Sequence, residues 1–129
     1  MKNNSVTAPK GFMAAGVKCG IKVSGKPDMA LLVCPTGATA AAVFTTNKIT
    51  SAAVEVSREH ARSAKVYAVV VNSGCANACT GKLGLANARR MCAMTAAETG
   101  VRPGQVLVAS TGVIGSHESA GISMSVWMS

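Results

Sequence analysis

The run VYAVVV at residues 66–71 constrains the chain more than any other stretch. Its β-branched side chains lose rotamer freedom in a helix and fit a pleated surface. No polar residue interrupts it, so it reads as a strand buried on both faces. A shorter run, Gln105 to Ala109, reads as a second strand. Between them, from Leu83 to Thr99, the residues Leu85, Ala88, Cys92 and Ala96 recur at helical spacing, Gly100 closes the pattern and Pro103 follows it. The sum is an α/β chain. Each strand empties into a polar loop at its carboxyl end, NSGCANACTG from Asn72 and STGVIG from Ser110. Sites in α/β folds gather at that end of the strands.

The rest of the chain is read by the same rules. Met29 to Cys34 is a short apolar run between Pro27 and Pro35, hence a strand. Ala38 to Thr46 reads as its hairpin partner across the turn PTG. Ala52 to Val56 reads as a further strand, because Val54 and Val56 alternate with Glu55. Ser57 then reads as the N-cap of a helix to about Ala64, with Glu59 and His60 in its first turn. No repeat or linker divides the 129 residues, of which 49% are apolar, so they are expected to form a single domain. Phe12, Phe44, Tyr67 and Trp127 are the only aromatic residues. Ala, Val and Met must therefore fill the interior, and a core of such small side chains is expected to need a partner for full stability.

The net charge is +8, from 13 Lys and Arg against 5 Asp and Glu. The basic residues are scattered, and no aromatic pattern offers bases a stacking platform, which excludes nucleic acid as the expected partner. A small carboxylate substrate fits better, with solubility as the plain alternative. Five cysteines is an odd count, and MKNNSVTAPKGF carries no secretory signal. No apolar segment approaches the length of a membrane span. The thiols are thus expected to be reduced and the chain cytoplasmic, with no membrane partner.

Cys75 and Cys79 are three residues apart and raise the question of a metal clip or redox pair. Two thiols supply half of a structural zinc site, and no matching ligands lie nearby, so no metal is expected. The spacing is one residue too long for the C-x-x-C redox motif. Neither histidine stands in a context that marks a base for a nucleophilic cysteine. His60 is placed on a surface helix, His117 and Glu118 near the C-terminus have no assigned role, and Arg89 and Arg90 lie on the solvated side of the long helix. The cysteines read as small buried hydrophobes. The two loops matter more through their backbones, since Asn, Ser, Gly and Thr permit tight turns with exposed amides. Ser110, Thr111, Gly112 and Gly115 offer hydroxyl and amide donors of the kind an oxyanion hole requires. Spacing alone leaves two readings open, ordinary structural turns or such a donor set.

The segments VTAPKGFMAAGVKCGIK, KPDMALLVC, ATAAAVFTTNKI, VSREH, VVVNSGCANACTG and VLVASTGVIG resemble, in order, the N-terminal, α-chain region of the bifunctional ornithine acetyltransferase/N-acetylglutamate synthase family of arginine biosynthesis. The resemblance is collinear over about residues 6–115. It implies the N-terminal part of a layered α-β-β-α fold. It also implies acyltransferase activity, moving acetyl from N-acetylornithine to glutamate, with acetyl-CoA as a further co-substrate and no bound cofactor. Members are multifunctional. They are made as one precursor that cleaves itself autocatalytically at an Ala-Thr bond, and the α and β chains assemble as an α2β2 heterotetramer. The new N-terminal Thr of the β chain is the nucleophile of a ping-pong cycle. By the same resemblance Thr111 and Gly112 form the oxyanion hole, and Asn72, Ser73, Gly74 and Asn77 belong to a substrate-side loop.

Two departures stand out. Cys75 replaces the middle Asn of the family's N-S-G-N-A-N, which removes an amide from a loop hydrogen bond. Beyond Gly115 the residues diverge, so that 116–129 reads as a distinct tail. The cleavage motif, the nucleophilic Thr and the β chain are all missing from this sequence, and Ala38-Thr39 lacks the motif's context. An inactive, truncated or frameshifted α-chain fragment is therefore the alternative expectation for this polypeptide.

Overall fold

The computed structural model describes residues 5–116, so His117, Glu118 and nearly all of the tail lie outside the described residues. Four strands form one mixed sheet in the order β1 (Met13–Val17), β2 (Met29–Ala38), β3 (Val66–Cys75) and β4 (Val106–Val113). β1, β2 and β3 pair antiparallel in sequence, and β3 and β4 pair parallel. Parallel neighbours need a crossover. Here it is α2 (Gly81–Thr99), followed by a short 3-10 turn at Pro103–Gln105. A second helix, α1 (Ala52–His60), precedes β3.

Both helices lie on one face of the sheet. Val70, Val106 and Val108 from the strands meet Val56 from α1 and Ala88, Met91, Cys92 and Ala96 from α2. Val56, Val70, Val106 and Cys92 are the bulk of the fully buried apolar volume. Each complete burial of a side chain of this size is worth about 1.5–3 kcal/mol. The opposite face is open. Leu32, Tyr67, Val69 and Leu107 are half-buried there, and with Phe12 and Ala38 they line a shallow apolar depression. The expectation that 66–71 is buried on both faces is therefore corrected: within β3, Val66, Ala68, Val70 and Asn72 are buried while Tyr67, Val69 and Val71 are only partly covered.

Three further expectations change. Ala52 to Val56 is not a strand but the first half of α1, and its cap is Ser51, whose Oγ accepts the Val54 N–H at 3.4 Å. Glu59 and His60 consequently fall at the end of the helix rather than its start, and His60 is buried rather than on the surface. Ala38 to Thr46 is not a strand beyond Ala38, which ends β2. The antiparallel partners of β2 are β3 and the unpredicted β1. The long helix starts at Gly81, two residues before the expected Leu83, and Gly100 in the left-handed region ends it with its N–H donating to the Ala96 carbonyl.

α1 also closes the outer edge of β4. The Ser57 hydroxyl donates to the Val108 carbonyl at 2.6 Å and accepts the Val108 N–H at 2.9 Å. His60 Nδ1 lies 2.8 Å from the Val106 carbonyl. A carbonyl can only accept, so this ring nitrogen carries the proton. Two side chains thus stand in for a neighbouring strand. No helix among the described residues is long and apolar enough to cross a membrane.

Candidate functional site

The parallel register of β3 and β4 brings the two polar motifs side by side. Asn72 pairs with Ser110, Ser73 with Thr111, Gly74 with Gly112 and Cys75 with Val113. Thr111 and Gly112 are exposed at this rim. The two glycines allow backbones to approach where side chains would block them. Gly112 sits at φ +130°, and a Cβ there would overlap the Gly74 carbonyl group. Gly74 sits at φ +117°, with Ile21 Cγ2 only 2.7 Å from where a Cβ would be. Neither position tolerates a side chain without moving its neighbour.

Asn72 is fully buried, and its Nδ2 donates to the Cys75 carbonyl at 2.9 Å, which shapes the turn after β3. Beside it the Ser110 Oγ is enclosed and has no hydrogen-bond partner among the described residues. A buried hydroxyl left unpaired costs about 1–3 kcal/mol. Ser73 and Gly74 are half-buried at the rim. Asn77 is different. It is buried at φ +49°, its Nδ2 donates to the Gly84 carbonyl at 2.9 Å, and its Oδ1 accepts the Thr80 hydroxyl at 2.7 Å. Both polar ends of this side chain bind the loop to the start of α2.

The cysteines divide by position. Cys75 is buried and its thiol donates to the Ser116 carbonyl at 3.2 Å, so this side chain makes a loop hydrogen bond. Two backbone bonds zip the same segments together, Ala76 N–H to Val113 O at 2.9 Å and Gly115 N–H to Ala78 O at 3.0 Å. Cys79 is exposed, at φ +58°. Burial pushes the Cys92 thiol up to about 12, against a small lowering by Arg89, so it is not a nucleophile near neutrality. Among the described residues no group of three or more His, Cys, Asp or Glu is placed to hold a metal ion.

One functional candidate escaped sequence reasoning. Asp28, 3% exposed, opens β2 with its carboxylate in a nest of backbone donors. Oδ1 accepts the Cys19 N–H at 2.6 Å, and Oδ2 accepts those of Ile21 and Lys22 at 2.7 and 2.9 Å. Burial pushes this carboxyl up, but the N–H donors of Lys22, Cys19 and Ile21, with the Lys22 ammonium, outweigh it and hold the group below its ordinary value. The Asp28 carbonyl also accepts the Ser73 N–H at 2.8 Å. The available signal was an acidic residue directly ahead of an apolar strand, behind a loop with Gly20 and Gly25.

Comparison with known proteins agrees with this architecture. Residues 13–123 match the family model described as ArgJ family. The arginine biosynthesis bifunctional protein ArgJ of a Bacillus cereus strain is 47% identical over 116 residues, covering 89% of this chain and 28% of that relative. The chain thus spans less than a third of the length of the full relatives it matches. The crystal structure of the ArgJ protein from Bacillus halodurans superposes with a TM-score of 0.88 at 42% identity, over 95% of this chain and 64% of that one. An ornithine acetyltransferase from Mycobacterium tuberculosis, crystallised with ornithine, superposes with a TM-score of 0.83 at 39% identity, over 91% of this chain and 64% of that one.

Proposed function

Since the chain belongs to the ArgJ family of arginine biosynthesis, we propose that it supplies the oxyanion-stabilising side of an acetyl-transfer site acting between N-acetylornithine and glutamate. The observation that carries this reading is the parallel register that sets Thr111-Gly112 against Ser73-Gly74 at an exposed rim. A threonine hydroxyl from the β chain of the same precursor, freed by self-cleavage within an α2β2 assembly, attacks the acetyl carbonyl of N-acetylornithine. The carbonyl π electrons move to oxygen, and the Thr111 hydroxyl and Gly112 amide stabilise the resulting anion. Collapse expels ornithine, whose amine takes a proton, and leaves acetyl on the threonine. The glutamate amine then attacks that ester, the acyl C–O bond breaks to release N-acetylglutamate, and a proton from the amine restores the threonine hydroxyl, with acetyl-CoA as an alternative acetyl donor. Asn72, Ser73, Gly74 and Asn77 shape the wall on the substrate side, through the turn that Asn72 and Asn77 hold. The net positive charge suits carboxylate substrates, and the reduced thiols suit a cytoplasmic enzyme.

The test joins this chain to the remaining length of the Bacillus cereus relative, by co-production of the two pieces. Thr111→Ala is expected to lower kcat by about 10²–10³-fold with little change in KM, the range for removing one oxyanion donor. The 129-residue chain by itself is expected to transfer no acetyl and to run as one uncleaved band. An unchanged kcat with a raised KM in the Thr111 variant, or turnover by the chain alone, overturns the assignment.

A further inference from the structure

We propose that Asp28 is a positioning residue for the Thr111-Gly112 rim, acting through Ser73, Ile21 and Gly74 rather than touching substrate. The inference rests on the oxyanion assignment above. Two routes lead from Asp28 to that rim. In the first, its main-chain carbonyl holds the Ser73 N–H at 2.8 Å, and Ser73 is the register partner of Thr111. In the second, its carboxylate gathers the N–H groups of Cys19, Ile21 and Lys22 and so fixes the β1–β2 loop. That loop seats Ile21 against Gly74. Gly74 in turn is the surface on which Gly112 rests, since a Cβ at 112 would overlap its carbonyl group. The Asp28 N–H completes the anchor by donating to the Val17 carbonyl at 3.0 Å, at the end of β1.

One buried residue therefore ties together the end of β1, the start of β2 and the end of β3, and β3 is the strand that pairs with β4. Charge-assisted bonds to backbone donors are about twice as strong as neutral ones. A carboxylate with two acceptor oxygens can serve all three donors. An asparagine in its place has one acceptor oxygen and presents an NH2 to donors it cannot pair with. Such a change leaves the shape of the site while loosening the loop over Gly74. Displacements of about 1 Å at a reacting centre cost on the order of 10²-fold in rate, so a support of this kind bears on catalysis without contact.

The experiment uses the two-piece enzyme described above, with hydrogen exchange by mass spectrometry as the readout independent of activity. Asp28→Asn is expected to speed exchange about 10-fold or more at Cys19–Lys22, at Ser73–Gly74 and at Thr111–Gly112, while α2 and the helix-facing half of β3 stay protected. kcat is expected to fall about 10–100-fold with KM changed less than about 3-fold. Ile21→Ala, which leaves the carboxylate and its donors intact, is expected to speed exchange at Gly74 and Gly112 but not at Cys19–Lys22. If Asp28→Asn does not fold, the Ile21 variant carries the test. Exchange at Thr111–Gly112 that stays at the parent rate in a folded Asp28→Asn, or in Ile21→Ala, overturns the proposal, as does a uniform rise across the sheet. An inactive parent enzyme refutes the acetyl-transfer reading and leaves the exchange pattern to decide the role of Asp28.

Discussion

The two faces of one sheet have opposite fates in this molecule. On the face under α1 and α2, Val56, Val106 and Val70 are 0%, 0% and 1% exposed. On the other, Leu32, Tyr67, Val69 and Leu107 line a depression open to solvent. Val70 and Val69 are neighbours on β3, and Val106 and Leu107 are neighbours on β4, so composition does not separate the faces. Connectivity does. The crossover from β3 to β4 and the segment before β3 are each a helix, and both drop onto the same side. The covered face is thus closed by chain that is near in sequence, and the open face has no such local cover among the described residues.

The largest effect that probes this contrast is a charge placed on each side in turn. Val70→Asp buries an unpaired carboxylate under both helices and is expected to cost about 4 kcal/mol or more, enough to prevent folding. Val69→Asp puts the same charge on the open face and is expected to cost about 1 kcal/mol, with less binding of an apolar dye. Equal losses in urea unfolding would erase the distinction between the faces. Ser57→Ala comes next. It strips the Val108 N–H and carbonyl of their partner on the closed edge and is expected to cost about 2 kcal/mol, with faster exchange of the Val108 amide.

Acid probes the loop end of the sheet, which belongs to neither face. The folded Asp28 carboxyl lies below its ordinary 3.8, so its contribution is complete above that value and drains away as pH falls beneath it. Asp28→Asn is expected to lack this acid limb in a pH series of melting curves. Thiol labelling should separate the exposed β3–α2 loop from the helix-covered face without perturbing stability. Exposed Cys79 is expected to react in the native chain, and Cys92, with its thiol pushed up to about 12 under the helices, only after unfolding. The smallest change concerns Arg89→Ala. The Arg89–Glu59 pair joins α1 to α2 at 2.7 Å, yet both side chains are about half exposed, so the melting midpoint is expected to stay almost unmoved.

What the sequence disclosed follows the strength of local signals. Residues 66–71 and Gln105–Ala109 read as strands because β-branched runs have few alternatives, although Gln105 closes the 3-10 turn and β4 runs on to Val113, and α2 read correctly from Leu85, Ala88, Cys92 and Ala96 with Gly100 behind them. α1 was mistaken because Val54, Glu55 and Val56 alternate like a strand over a short window, while the true cap, Ser51, lies ahead of two small alanines. Residues 39–46 have strand-like side chains but no strand pairs with them, whereas β1, the weak former MAAGV, exists because β2 pairs with it. Of the candidate site, the residues of both motifs could be named from spacing and resemblance. Their juxtaposition could not, since it depends on the Ser73–Thr111 register, and neither could the role of Asp28, which depends on three donors brought together by a loop.

The Ser57 and His60 bonds to β4 also make the sheet a one-sided template. A bare edge strand recruits other extended chains through its unpaired main-chain groups. That invitation is withdrawn along Val106–Val108, where a hydroxyl and an imidazole occupy the main-chain groups. At the far end of the sheet, Met13–Val17 has β2 on one side and no strand on the other among the described residues, and four of its five residues are exposed. Among the described residues, Met13–Val17 is therefore an open edge for strand exchange, fibril growth or capture of an extended peptide, and Val106–Val108 is not. Growth of the sheet from β1 would extend it away from the rim where the two polar motifs meet.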